Sequence, residues 1–123
     1  MNTKTHTVWL FCRVIDNFGD IGVSWRLARQ LQQEQGLQVV LWVDEVQALQ
    51  SLLPVADVSA RHACYEGITV LQWRDAFVAD LMQEVPVADV VIETFACDVP
   101  DAVRLWMVGK PILWLNLEYL TAR

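Results

Sequence analysis

Five short apolar runs, each followed by a turn-prone or amphipathic stretch, constrain this chain more than any other feature. Thr7–Ile15 (TVWLFCRVI) is apolar but for one arginine, and its β-branched and aromatic content predicts a buried strand. Leu37–Val43, Ile68–Trp73, Ala88–Glu93 and Ile112–Asn116 repeat that pattern. Between the first two, Ser24–Gln35 reads as a helix. Val23, Leu27, Ala28 and Leu31 share one side, with Arg26, Arg29, Gln30 and Gln33 on the other, and Gly36 is placed to stop it. Asp44 can cap a second helix through Leu53, with Val46, Leu49 and Leu53 on one face and Pro54 ending it. Residues 75–84 read as a short helix, and Pro100 opens another over Asp101–Val108. Strands alternating with helices demand right-handed crossovers. The expected fold class is therefore α/β, a Rossmann-like parallel sheet with helices on both faces. The 123 residues fit a single domain, 1–123.

In such a sheet ligands bind beyond the carboxyl ends of the strands. That rule selects Asp16–Gly22, Asp44–Glu45, Thr94–Asp98 and Asn116–Tyr119. The first is the richest: Asp16, Asn17, Phe18, Gly19, Asp20, Ile21 and Gly22 place two carboxylates four apart and two glycines three apart. Glycines let a ligand approach the backbone. The free N–H groups of the following helix can hold a phosphate. Neither a GxGxxG fingerprint nor a Walker GK[ST] is present, so a nicotinamide site and a P-loop find no support. Two readings of the aspartates stay open at this level. They cap the turn and helix, or they act as a general base and its orienting partner.

Composition removes other classes. A net charge of -6 argues against a nucleic-acid-binding module, which would show a basic face. No apolar run reaches 18 residues, so no membrane span is expected, and the N-terminus lacks a secretory cleavage pattern. Cys12, Cys64 and Cys97 form no CxxC pair and read as reduced thiols of a cytoplasmic protein, with Cys97 inert. His6 and His62 read as surface residues, and Arg26 and Arg29 as a solvated face. The six tryptophans read as core and interface filling. Trp25 is expected off the apolar face of its helix, at a groove or against another helix.

Three strings, FCRVIDNFGDIGVSWRLARQL, VIETFACDVP and LWLNLEYL, occur in this order. Together they resemble the amino-terminal domain of the bacterial protein-arginine rhamnosyltransferases that act on elongation factor P. The resemblance implies the N-terminal half of a GT-B glycosyltransferase, of inverting mechanism. Its donor would be dTDP-β-L-rhamnose, held mainly by a C-terminal nucleotide domain absent from this chain. Its acceptor would be an arginine side chain of elongation factor P. The family's catalytic aspartates fall on Asp16 and Asp20. A guanidinium stays protonated, so a carboxylate must hold it and take a proton as the C–N bond forms. Asp20, nearer the helix, is the expected base and Asp16 its orienting partner. Backbone N–H groups of residues 19–22 are expected toward the diphosphate. Glu93, Phe95, Asp98, Asn116, Glu118 and Tyr119 are expected to line the cleft or brace the first loop. The donor is a substrate; no cofactor and no metal is expected, since no DxD pair occurs. The alternative is a stand-alone Rossmann-like binding or regulatory module without catalysis. A receiver domain is disfavoured, because the fifth strand ends in Asn116 and Lys110 precedes it.

Overall fold

A computed structural model describes residues 5–13, 19–94 and 99–117, with the backbone alone at 19 and 20. Six strands form one sheet: β1 (Thr7–Cys12), β2 (Gln38–Val43), β3 (His62–Tyr65), β4 (Ile68–Gln72), β5 (Val90–Thr94) and β6 (Leu113–Leu117). Among the described residues there are also three α-helices, α1 (Gly19–Gln35), α2 (Val78–Met82) and α3 (Asp101–Met107), and two 3-10 helices, Val46–Ser51 and Asp75–Phe77. The sheet runs β3-β4-β2-β1-β5-β6. All pairings are parallel except β3 with β4. Counted alone, the parallel strands run third, second, first, fourth, fifth, which is the doubly wound Rossmann order. Strand order reverses between β1 and β5. The expected α/β class is borne out.

β1 is buried along its whole length and β2 from its second residue, as strands covered on both faces must be. Alternate side chains feed two cores. Leu10, Cys12, Leu41, Val43, Ile68 and Val70 pack with Ile21, Trp25 and Ala28 of α1 and with Val46 and Leu49. Trp9, Phe11, Val40, Trp42, Leu71 and Val91 pack with Val78 and Leu81 of α2 and Val103 and Met107 of α3. Aromatic stacking dominates this second core: Phe11 lies 4.9 Å from Trp42, and Trp9 lies 5.0 Å from Trp106. Helices thus cover both faces.

Several expectations are corrected. β1 ends at Cys12, with Arg13 already outside it; Val14 and Ile15 lie outside the described residues. α1 begins at Gly19 rather than Ser24, so part of the expected turn is helical. Its buried stripe is Ile21, Ser24, Trp25 and Ala28, with Leu27 and Leu31 only partly buried. Trp25 is therefore a core residue: it stands one turn after Ile21 and one before Ala28 on the same buried face. The segment after Asp44 is a 3-10 helix with Glu45 at its N-cap position and no side-chain cap. The expected face survives, since Val46, Leu49 and Leu53 are all buried. Threefold winding aligns Val46 with Leu49 as well as an α-helix would.

The strand β3 was not expected at all. Glu66 and Gly67 both take positive φ, 53° and 81°, forming the two-residue turn that joins it to β4. At the opposite edge β6 is exposed throughout, including Leu113, Trp114, Leu115 and Leu117.

Candidate active site

The reversal of strand order opens a crevice at the carboxyl ends of β1 and β5. α1 starts there, so residues 19–21 contribute first-turn N–H groups that have no intrahelical carbonyl. Asp20 is the second residue of the helix, inside its first turn rather than at the N-cap. Ile21 is fully buried against Leu10 and Cys12, so only its backbone is available to a ligand. Among the described residues Gly22 shows no need to be glycine: a Cβ there would meet none of them within 4 Å, and its φ is not positive. Asp16, Asn17, Phe18, Phe95, Cys97, Asp98, Glu118 and Tyr119 lie outside the described residues.

The end of β5 is tied down on both faces. Glu93, 6% exposed, accepts the Val99 N–H at 2.9 Å through Oε2 and the Trp114 indole N–H at 2.9 Å through Oε1. Asn116 Nδ2 reaches the same Oε1 at 3.4 Å. Glu93 thus ties Val99, after β5, to β6, and Asn116 adds to that tie; the first loop, which they were expected to brace, lies largely outside the described residues. On the other face Thr94 donates to the Phe11 carbonyl at 2.7 Å, and Ser24 bonds to Thr94 at 3.3 Å. Sequence reading selected Thr94 only as the start of Thr94–Asp98 and missed Ser24 and Trp114. Ser24 had a signal, since it falls on the stripe with Ile21 and Ala28. Trp114 had none, because its bond depends on the pairing of β5 with β6.

A hollow of about 300 Å³ opens at this edge, lined by Arg13, Trp73, Asp75, Pro100, Asp101 and Arg104. A second, of about 270 Å³, shares Arg13, Trp73 and Asp75 with it and adds Asp44, Glu45 and Arg74. The Arg13 guanidinium lies 5.8 Å over the Trp73 ring. Arg74 holds the expected Asp44–Glu45 corner, donating to the carbonyls of Asp44 and Trp73 and pairing with Glu45 at 3.6 Å. Arg104 pairs with Asp101 on α3. Three arginines stand among four carboxylates here, which suits a polar, mixed-charge surface more than a simple anion.

Away from the edge, both histidines and the α1 arginines lie at the surface, as expected. His6 and His62 are exposed beside Asp89 and Glu84, and Arg29 pairs with Glu66 at 3.3 Å. Asp57 is held below its usual carboxylate range by the Ser59 hydroxyl and N–H. Among the described residues no helix is long and apolar enough to cross a membrane.

Residues 8–123 match the family described as "Elongation-Factor P (EF-P) rhamnosyltransferase EarP". A "Protein-arginine rhamnosyltransferase" of Neisseria meningitidis serogroup B is 53% identical over 123 residues, covering 99% of this chain and 31% of the relative. One of Pseudomonas aeruginosa is 51% identical over 115 residues, 92% of this chain and 29% of its own length. One of Shewanella oneidensis is 38% identical over 121 residues, with the same coverage of 92% and 29%. The chain spans less than a third of the length of these relatives. With the fold and the profile in agreement, the chain belongs to the EarP family of elongation-factor-P rhamnosyltransferases.

Proposed function

We propose that this chain is the acceptor-side, amino-terminal domain of an inverting GT-B glycosyltransferase. The full-length enzyme transfers L-rhamnose from dTDP-β-L-rhamnose to an arginine side chain of elongation factor P in the cytoplasm. The observation that carries the reading is the family match over residues 8–123 together with the station of residue 20. It occupies the first turn of α1, at the carboxyl edge where strand order reverses.

The acceptor guanidinium has no free lone pair at ordinary pH. Asp20 holds it and takes a proton as the nitrogen attacks. Asp16 orients the guanidinium through a second carboxylate. Attack opposite the departing diphosphate inverts the anomeric carbon through an oxocarbenium-like transition state. The first-turn N–H groups of α1 support the diphosphate, and none of the described residues would meet a Cβ at Gly22, which leaves room for it. The greater length of the relatives supports a two-domain transferase over a stand-alone module.

Kinetics on the full-length enzyme test this. Asp20→Asn keeps size and one acceptor oxygen but cannot take the proton. Turnover should fall by about 10²–10⁴-fold while substrate affinity changes little. Asp16→Asn should lose more in acceptor affinity. If Asp20 only complements the helix dipole, the substitution costs about 0.3–1 kcal/mol of stability and spares turnover. That result would sink the proposal.

A further inference from the structure

We propose that Ser24 and Thr94 are a positioning pair that fixes the first turn of α1 over the ends of β1 and β5. The proposal rests on the reading of Asp20 as the base. Ser24 is 0% exposed and Thr94 1%. Buried hydroxyls are costly unless both are bonded. The Phe11 carbonyl can only accept, so the Thr94 hydroxyl donates to it at 2.7 Å. The Thr94 oxygen is then left to accept from Ser24 at 3.3 Å. One directed chain runs from α1 through β5 to β1, joining the helix to the two strands that flank the crevice.

Burying α1 does not need this hydroxyl. Its neighbours on the stripe, Ile21, Trp25 and Ala28, are apolar, and alanine at 24 would pack without a polar group to satisfy. Apolar packing is non-directional and tolerates a small roll of the helix about its axis. A hydrogen bond has a preferred angle and does not. Residue 20 stands four before Ser24, one turn ahead on the same helix face. Any roll at Ser24 therefore displaces residue 20 relative to the crevice.

The test uses the full-length enzyme and the variants Thr94→Val, Thr94→Ser, Ser24→Ala and Asp20→Asn. Thr94→Val keeps the shape and removes both bonds. It should lower kcat by about 10–100-fold, the scale of a small misplacement of a reacting group, with acceptor KM nearly unchanged. Thr94→Ser should restore most of that loss. Ser24→Ala leaves the Thr94–Phe11 bond intact, so it should show a smaller loss of the same kind even where Thr94→Val folds poorly. In the Asp20→Asn background, Thr94→Val should add no further loss, because both act through one group. Wild-type kcat in Thr94→Val and Ser24→Ala beside an inactive Asp20→Asn overturns the pair alone. So does a Thr94→Val loss that persists in the Asp20→Asn background. Full turnover in Asp20→Asn overturns the base assignment, and the pair with it.

Discussion

At the scale of single residues, Glu93 and Gly22 make opposite contributions. Glu93 is a buried carboxylate that satisfies two donors at 2.9 Å, one from the backbone of Val99 and one from Trp114. Bonds to a charged group are worth about 1.5–3 kcal/mol each, and removing the acceptor strands a buried N–H. Glu93→Ala should therefore lower unfolding stability by about 2–4 kcal/mol in denaturant titrations. Asn116→Ala, losing one long, part-buried contact at 3.4 Å from an exposed residue, should cost far less. Equal effects would mean that Glu93 does not anchor the segment after β5. Gly22 sits inside a helix, where glycine is worse than alanine by roughly 0.5–1 kcal/mol. With no atom of the described residues within 4 Å of an added Cβ, Gly22→Ala should raise the melting temperature. The same methyl group should raise donor KM in the full-length enzyme, because it occupies space proposed for the diphosphate. A stabilised variant with unchanged kinetics would show that no ligand approaches there.

At the scale of elements, the hairpin of β3 and β4 depends on two residues in the left-handed region. Gly67 has a φ of 81°, and a Cβ there would stand 2.7 Å from Gln32 Nε2 of α1. Gly67→Ala thus meets backbone strain and a contact that Gln32 must yield. A loss of about 1–2 kcal/mol is expected, on the order of an incompatible glycine replacement. Gly36→Ala, with a φ of 66° but open space around it, should cost less. The difference between the two, read from parallel melts, isolates the Gln32 contact; equal losses would show that φ alone matters. The hairpin was legible in principle. Glu-Gly between HACY and ITVLQ is a two-residue turn, but the short, half-exposed strand before it carries little apolar signal. The 3-10 geometry after Asp44 had no such signal, since its apolar face fits either helix type.

At the scale of the whole molecule, the chain spans about a third of its relatives, and this governs what it should do alone. Residues 1–123 are expected to fold as a unit, because the sheet already has a core on each face. They are expected to bind elongation factor P weakly, to bind dTDP-rhamnose little, and to transfer no rhamnose. Mass spectrometry of elongation factor P after incubation with the fragment and donor checks the last point; an added rhamnose would contradict it. The sequence by itself determined the α/β class and the strands near Leu10, Leu41, Leu71, Ile92 and Leu115. These follow from local periodicity and turn chemistry, which need no partner in space. Strand order, the start of α1, the burial of Trp25 and the ties among Ser24, Thr94, Phe11, Glu93 and Trp114 were decided only by tertiary structure. Each depends on which strands lie side by side, and Ser24 and Thr94 are separated by 70 residues in the chain. No local pattern encodes a bond whose partners meet only after β1 has been inserted between β2 and β5.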